Sequence, residues 1–276
     1  MTPEPLILVT GASDGIGRET ARELTRRGAR VLVHGRDPAR VRAAAAELAG
    51  IAGRPAPDPV VADLASLTAV RELAREIDAR GHRLAVVVHN AGVYMKRRDR
   101  TVDGHETTFA VNHLAPFLLT HLLLGCPAGE GLRRIVNVSS IAHGRGRVDL
   151  GDPQLLRQPF SSYASYATSK LANVLFTVEL ARRLAARGVA VNALHPGVSS
   201  TKLLTEGFEM EGSDSLSESA ATSVFLALDD AVEGTTGRYF VKRRPSPMNP
   251  VASDAQLVRR FYELSAELVG VAPLPG

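Results

Sequence analysis

The chain has 276 residues, which is within the size range of one large α/β domain, so no second domain is required. Hydrophobic residues make up 45% of the sequence and charged residues 22%, a globular composition that can bury a sizeable core. The formal net charge of +4 comes mainly from arginines spread along the chain, and tryptophan is absent. The composition therefore argues against a nucleic-acid-binding protein, which needs clustered positive charge interleaved with aromatic residues.

The cysteine count and the hydropathy of the chain indicate the cellular compartment in which we expect the protein to work. Cys126 is the only cysteine, so a disulfide within the chain is excluded, and we expect no metal site. This usage is typical of a reducing cytoplasm, where we expect the protein to work. No apolar stretch reaches the ~18 residues of a membrane span, and the first predicted strand begins too early for a signal peptide. We read the basic run at 96–100 as solvated or cofactor-edge charge, the less favoured alternative being an anionic partner.

Strands and helices are predicted to alternate along the chain. The predicted strands are continuous apolar runs, which is typical of strands buried on both faces of a parallel sheet. The alternation predicts an α/β fold, a single-domain Rossmann-type doubly wound parallel sheet of about seven strands in the order 3-2-1-4-5-6-7 with helices on both faces. Strands are expected at 6–9, 30–34, 60–62, 84–88, 134–138, 189–194 and 238–241, and helices at 15–28, 38–49, 66–80, 104–124, 163–187, 216–228 and 253–269.

Three segments interrupt this alternation, at 93–103, 143–162 and 202–215, and each follows the carboxyl end of a strand. Ligands bind at that edge of an open parallel sheet, and long loops there are often functional. The apolar side chains of the second and third segments predict a pocket for a bulky hydrophobic substrate; the alternative is that they pack the loops onto the domain.

A glycine-rich turn joins the first strand to the first helix. Its spacing, G-x-x-x-G-x-G, differs from the common G-x-G-x-x-G, but it meets the same needs for a tight turn and close backbone approach. The helix that follows offers amide donors and a positive dipole end to an anion. Unless this is only a tight strand–helix turn, it predicts a dinucleotide site formed by Gly11, Ser13, Asp14, Gly15, Ile16 and Gly17.

The end of the second strand favours NADP(H) over NAD(H). An acidic residue there would bind the ribose 2′-hydroxyl, but Gly35 occupies that position and Arg36 follows it. Arg18 follows the glycine turn, and Ser13 could add a hydroxyl. Arginine binds a phosphate with two parallel hydrogen bonds, so these residues predict a 2′-phosphate site. The alternative is that both arginines are ordinary surface residues, and Asp37 is predicted to cap the next helix.

A tyrosine and a lysine stand four residues apart in a predicted helix. Tyr166 and Lys170 therefore share a face and lie within reach of each other. A free tyrosine has a pKa of roughly 10, and we expect the nearby ammonium to lower it toward the working pH. Such pairs also occur without function. However, Ser139 and Ser140 end the fifth strand and place hydroxyl groups at the same edge of the sheet.

Together these motifs resemble the short-chain dehydrogenase/reductase family. Its T-G-x-x-x-G-x-G, N-N-A-G, S-S, Y-x-x-x-K and P-G-x-x-x-T patterns occur in order across residues 10–201, with His89 replacing the first asparagine of N-N-A-G. We expect His89 to be structural. The stretches 134–140, 169–173 and 195–198 look closest to the retinol dehydrogenase and protochlorophyllide reductase-like branch.

The resemblance assigns roles to individual residues. It implies that Ser140 binds the substrate oxygen, that Tyr166 exchanges a proton with it, that Lys170 tunes Tyr166 and grips the nicotinamide ribose, and that Asn112 holds a water linked to solvent. It also implies that the cofactor contacts Asp63, Leu64, Asn90, Ala91, Gly92, Pro196, Gly197, Val198 and Thr201. The alternatives are plain structural roles: a turn for Asp63, a cap for Thr201 and a backbone contact for Asn112.

The sequence therefore predicts an NADP(H)-dependent oxidoreductase that interconverts a carbonyl and an alcohol on a bulky hydrophobic substrate, of retinoid, steroid or polyketide type. One alternative is a catalytically silent NADP(H)-binding sensor or interaction protein, which would not need all four catalytic residues. A nucleotide-sugar epimerase or dehydratase would need a larger carboxy-terminal domain than the roughly 75 residues after Thr201. A homodimer or homotetramer could form through the helices at 104–124 and 163–187.

Overall fold

A computed structural model describes residues 4–275 of the chain. Its sheet runs in the order β3-β2-β1-β4-β5-β6-β7-β8, with parallel neighbours throughout except for β7 and β8, which are antiparallel. The predicted Rossmann-type order of the first seven strands is confirmed, and a short hairpin adds the eighth. The strands are β1 (Leu6–Val9), β2 (Arg30–Gly35), β3 (Val60–Val61), β4 (Val86–His89), β5 (Arg134–Val138), β6 (Ala190–His195), β7 (Arg238–Val241) and β8 (Arg244–Pro245).

The main helices cover both faces of this sheet. Helices α1, α2 and α6 pack on one face, and α3, α4, α5 and α7 pack on the other. They are α1 (Gly15–Arg26), α2 (Pro38–Ala52), α3 (Leu67–Ala79), α4 (Thr107–Leu124), α5 (Ser162–Arg183), α6 (Leu216–Leu228) and α7 (Ala255–Val269). The Asp37 side chain accepts hydrogen bonds from two amides of the first turn of α2, which confirms it as the predicted cap.

Helix α4 passes the length and composition test for a membrane span, alone among the helices of residues 4–275. However, 94% of its apolar window is buried inside the domain, which is the environment of a core helix. One turn of α4, at Ala110–Leu114, is a π-helix, the wider geometry that often marks a functional position.

Helix α7 covers the outer faces of α4 and α5. The Tyr262 hydroxyl lies 2.8 Å from Nε2 of His121 on α4, and the Arg183 guanidinium of α5 lies 4.4 Å from the centroid of the Tyr262 ring. Ser265 makes a further hydrogen bond, of 2.9 Å, to His113. The two helices expected to pair between copies are therefore already buried within one chain, and an interface there would require α7 to move.

The three long segments meet at the carboxyl edge of the sheet. Arg98 of the first segment donates to the carbonyl oxygens of Leu155 and Leu156 in the second, at 3.1 Å each. Lys96 of the first segment pairs with Glu209 of the third, with an Nζ–Oε1 distance of 2.5 Å. The fold thus brings all three segments to the edge where the motif residues emerge.

Candidate active site

The glycine turn after β1 leaves no room for side chains. Gly11 and Gly15 have φ values of +66° and +52°, a conformation that glycine adopts without a steric penalty. A Cβ on Gly17 would clash with the Asn90 side-chain nitrogen and with the Gly11 carbonyl oxygen. The turn therefore presents bare backbone at the amino end of α1, with Ile16 half-buried in its first turn. This is the arrangement that a pyrophosphate requires.

Two polar side chains brace the turn from within. The Thr10 hydroxyl accepts hydrogen bonds from the backbone amides of Asn90 and Ala91, at 3.0 and 3.1 Å. The Asn90 side chain donates to the carbonyl oxygens of Thr10 and Gly11, at 2.9 and 3.3 Å. Asn90 and Ala91 thus support the phosphate turn, and their contact with the cofactor stays a prediction. Thr10 was missed as a site residue, although it begins the glycine motif.

Asp14 caps α1 at the mouth of the turn. Its carboxylate accepts the Gly15 amide at 2.9 Å, forms an ion pair with Arg40 and lies 3.8 Å from the ammonium of Lys202. Burial opposes ionisation, but the hydrogen bonds from Arg40 and Gly15 hold the pKa of Asp14 below its usual value. Arg40 lies near the turn because α2 begins at Pro38, a contact that sequence spacing alone does not reveal.

Gly35 at the end of β2 lies against Ser13 of the turn, and Arg36 follows it in the chain. A Cβ on Gly35 would lie 2.9 Å from the Ser13 hydroxyl, so a larger residue at position 35 would displace Ser13. Arg36 is exposed and makes no salt bridge with any residue in the range 4–275. Arg18 is paired with Glu47 of α2, with an Nε–Oε2 distance of 2.7 Å. The predicted phosphate role therefore rests on Arg36 and Ser13.

The segment after β3 fits a turn role. One carboxylate oxygen of Asp63 accepts the Ala65 amide at 3.0 Å, and the other has no partner in the described part of the chain. Leu64 is buried in the core, at 6% exposure. One carboxylate oxygen of Asp63 therefore has the structural role of a turn residue, and the contact of Asp63 with the cofactor stays a prediction.

Lys170 and Asn112 come together behind Gly92. A Cβ on Gly92 would lie 3.3 Å from both the Lys170 ammonium and the Asn112 side-chain oxygen. The Lys170 ammonium donates to the Val138 carbonyl at 2.9 Å. Asn112 lies in the π-helical turn of α4, and its amide bonds both backbone groups of Val93, at 2.7 and 3.0 Å. The backbone alternative for the Asn112 side chain is thus observed, and a bound water there stays a prediction.

Tyr166 and Lys170 share the face of α5 that points to the end of β5. The ammonium lies 5.6 Å from the centroid of the Tyr166 ring. Burial raises the pKa of Tyr166 to about 12, and the neighbouring Ser140 hydroxyl offsets only part of this effect. Burial also lowers the pKa of Lys170 to about 8. The expectation that Lys170 lowers the tyrosine pKa is wrong here, because desolvation of the phenol outweighs its other interactions. Tyr166 is therefore a neutral phenol at pH 7.

The low pKa of Lys170 predicts a pH dependence. The Lys170 side chain is a charged ammonium below a pH of about 8 and becomes a neutral amine as the pH rises through that value. The neutral amine can no longer stabilise the phenolate that Tyr166 forms when it gives up its proton. We expect kcat for reduction to fall above that pH. Lys170→Arg keeps the charge, so the fall should move to higher pH. A profile that is flat to about pH 9.5 in the unsubstituted protein would contradict this assignment.

Two aromatic rings cover Tyr166. The ring centroids of Tyr94 and Phe208 lie 5.5 and 5.2 Å from that of Tyr166, and 4.0 Å from each other. Tyr166 is only 6% exposed as a result. Any substrate would have to displace these rings or pass beneath them to reach the Tyr166 hydroxyl. Tyr94 was missed because nothing in its spacing places it over Tyr166.

The segment after β6 begins with Pro196 and turns sharply at Gly197, whose φ is +109°. A Cβ on Gly197 would lie 2.7 Å from a carboxylate oxygen of Asp214. The same oxygen accepts the Val198 amide at 2.6 Å. Asp214 therefore holds this segment in place. It was missed because it lies 16 residues farther along the chain.

Thr201 brings this segment back to the glycine turn. Its methyl carbon lies 3.2 Å from the position of a Cβ on Gly15. Its carbonyl oxygen accepts the amides of Leu204 and Thr205 and so begins the following helical turn. The backbone of Thr201 therefore has the capping role that was the alternative, while its side chain faces the predicted cofactor site.

A dinucleotide fits this arrangement. A Cβ on Gly11 or Gly17 would meet Asn90, Ala91 or the Gly11 carbonyl, so the turn can present only bare backbone, and the exposed Arg36 follows β2 beside it. Thr201 lies against Gly15 of the turn, and the Lys170 ammonium lies behind Gly92. Within residues 4–275, histidine, cysteine and acidic side chains form no group of three or more that could hold a metal ion.

Comparison with known proteins agrees with this geometry. The short chain dehydrogenase family matches residues 5–212. Retinol dehydrogenase 13 of Mus musculus is 38% identical over 99% of this chain and 86% of its own length. A protein of Streptomyces sp. (strain C5), provisionally named daunorubicin C-13 ketoreductase, is 41% identical over 97% of this chain and 93% of its own length.

A solved structure extends the likeness to three dimensions. The short chain dehydrogenase of Escherichia coli CFT073, crystallised in complex with NADPH, superimposes with a TM-score of 0.69 at 30% identity, over 87% of this chain and 97% of its own. The family match over residues 5–212 includes the glycine turn, the tyrosine–lysine pair and the segment after β6. The chain therefore belongs to the short-chain dehydrogenase family of oxidoreductases.

Proposed function

We propose that the protein reduces a bulky hydrophobic ketone or aldehyde with NADPH. The observation that supports this most strongly is the position of Tyr166. Its neutral phenol lies beside the Ser140 hydroxyl, within 5.6 Å of the Lys170 ammonium and beneath an apolar cover. A buried acid next to a hydroxyl donor and a cation suits a reaction in which a carbonyl oxygen gains negative charge.

Each residue of the site has its own role in the proposed reduction. The bound nicotinamide would supply the hydride. Ser140 donates a hydrogen bond to the carbonyl oxygen, and Tyr166 gives that oxygen its proton. Lys170 stabilises the phenolate that Tyr166 becomes and, with Thr201, borders the nicotinamide end of the cleft. Asn112 holds a water that returns a proton from solvent. Oxidation of the alcohol is the reverse sequence.

The choice of NADP(H) rests on Arg36 and Ser13. The related Escherichia coli structure with NADPH supports it, as does the absence of an acidic residue at Gly35. We expect Arg36→Ala to raise the KM for NADPH about tenfold or more and to leave the KM for NADH unchanged, since a phosphate loses a charged partner. Arg42→Ala, which removes another exposed arginine from α2, is the control. Equal effects on the two cofactors would refute the assignment.

The substrate class follows from the cover over Tyr166. Tyr94 and Phe208 are apolar surfaces, and the related proteins are named for a retinoid and a polyketide ketone. The test is NADPH consumption against a panel of hydrophobic aldehydes and ketones, repeated with NADH. We expect turnover to favour bulky members of the panel. Faster turnover of small polar aldehydes would refute this substrate class.

A binding protein without turnover is the second candidate. The half-buried Phe208 ring, which packs over Tyr166, is the observation that favours it, because a covered phenol cannot reach a substrate unless the third segment moves. Tight NADPH binding with no turnover across the whole panel would support a sensor of this kind.

The cellular setting is also a proposal. We propose a cytoplasmic location, which the single, unpaired cysteine supports. An assembly of two or four copies was expected to form through α4 and α5. Because α7 covers those helices, we propose that any assembly uses another surface.

A further inference from the structure

We propose that His143 is a positioning residue for the reaction, holding the Ser140 hydroxyl in place through the main chain. This inference rests on the proposed function, in which Ser140 binds the substrate oxygen. His143 lies in the short helical turn Ile141–Arg145 that directly follows Ser140. Nothing in the motif pattern of the sequence singles it out.

The imidazole of His143 binds the residue that it would position. It is buried, at 4% exposure, and its Nδ1 lies 2.6 Å from the Ser140 carbonyl oxygen. A carbonyl oxygen can only accept, so Nδ1 carries the proton and donates. Burial lowers the pKa of His143, which keeps the ring neutral. The Nδ1–H group can donate to this carbonyl whether or not Nε2 also carries a proton.

The other side of the ring has no polar anchor. Nε2 of His143 lacks a hydrogen-bond partner among the residues that the structure describes. The ring packs instead on Tyr239 of β7, with centroids 4.4 Å apart. The bond to Ser140 is thus the single directional contact of this imidazole. Loss of that bond should act on the site mainly through Ser140.

The turn itself is held from outside by another residue. The Asn249 side chain donates to the carbonyl oxygens of His143, Gly144 and Gly146, at 3.1, 3.3 and 3.3 Å. Asn249 therefore keeps the turn folded when the imidazole is changed. A substitution at His143 can then loosen Ser140 without unfolding the loop.

The Ser140 hydroxyl must keep a fixed orientation to bind the substrate oxygen. Its hydroxyl accepts the Ala142 amide at 3.2 Å, so its own proton is free to point at the substrate oxygen. A hydroxyl that stabilises developing charge must be held within about 0.5 Å of the productive position. The Ser140 carbonyl oxygen accepts two hydrogen bonds from His143, one from the backbone amide at 3.1 Å and one from the imidazole at 2.6 Å. The imidazole makes the shorter bond and so adds a second restraint on rotation of the backbone that carries the hydroxyl.

Amide replacements of His143 test this proposal. The side-chain nitrogen of His143→Asn can occupy the position of Nδ1, whereas that of His143→Gln reaches the position of Nε2 and cannot donate to Ser140. His143→Leu keeps the packing on Tyr239 and removes the donor. We expect kcat to fall about tenfold or more for Gln and Leu, and to stay within about threefold for Asn. NADPH binding and thermal unfolding should change little in all three.

Testing the same change in a Ser140→Ala protein distinguishes a failure of the His143 proposal from a failure of the proposed function. In Ser140→Ala, the His143→Gln change should have no further effect on kcat, since the hydroxyl it positions is gone. A tenfold loss that persists in that background, or equal losses for Asn and Gln, would overturn the role of His143. Full activity of Ser140→Ala itself would overturn the proposed function and the inference with it. Tyr239→Phe keeps the ring that packs on the imidazole and removes only its hydroxyl, so it should leave kcat unchanged.

Discussion

Replacing Tyr166 by phenylalanine is expected to lower kcat for carbonyl reduction by about 10²–10⁴-fold, because the substrate oxygen loses its proton donor. NADPH should still bind. The substitution removes one hydroxyl and keeps the ring that packs against Tyr94 and Phe208, so folding should be preserved. Steady-state kinetics and cofactor fluorescence measure the two effects separately.

A neighbouring tyrosine provides the matched control. Tyr163 lies one turn earlier on α5, is 40% exposed and has alanine, not lysine, four residues later. Tyr163→Phe removes the same atom from the same helix, and we expect kcat to stay within about twofold. Near-normal turnover of Tyr166→Phe, or equal losses for both variants, would show that Tyr166 does not supply the proton.

Substitution of Gly17 by alanine is expected to abolish cofactor binding and to destabilise the fold. Its Cβ would clash with the Asn90 side chain and the Gly11 carbonyl oxygen, both of which belong to the phosphate turn. Overpacking of this kind costs about 1–3 kcal/mol, and relief of the clash would distort the backbone cradle itself. Thermal unfolding and NADPH titration should show both losses.

Gly50 is the control for this experiment. It lies in α2, and a Cβ there would meet nothing within 4 Å. Gly50→Ala should raise stability by up to about 1 kcal/mol through helix propensity, with NADPH affinity unchanged. If Gly17→Ala bound NADPH normally, the pyrophosphate would have to lie elsewhere.

The sheet could be predicted because its strands are unusually easy to recognise. Runs such as Leu6–Val9 and Val86–His89 are wholly buried in the structure, which is typical of strands covered on both faces in a parallel sheet. The hairpin to β8 was missed because it rests on Lys242 and Arg243, two residues at positive φ that carry no glycine signal. The coverage of α4 and α5 by α7 was missed because an apolar helix does not reveal its partner.

The site was predictable in its motifs but not in its energetics. The four-residue spacing placed Lys170 near Tyr166, as the structure shows. The pKa of Tyr166 is raised because its phenol is buried beneath the Tyr94 and Phe208 rings. These rings come from distant segments, so the sequence around Tyr166 does not predict the burial. The pairing of Arg18 with Glu47 could not be predicted for a similar reason, because Glu47 belongs to the next helix, and the phosphate contact of Arg18 stays a prediction.

The central claim is that this chain transfers a hydride from NADPH to a carbonyl carbon. The most direct measurement supplies NADPH carrying deuterium at C4 of the nicotinamide, as each diastereomer in turn, with a bulky aromatic ketone, and analyses the alcohol by mass spectrometry. We predict one deuterium on the carbinol carbon from one diastereomer only, and a rate that collapses in Tyr166→Phe. NADPH that binds tightly yet leaves no deuterium in any product across the panel would contradict the claim.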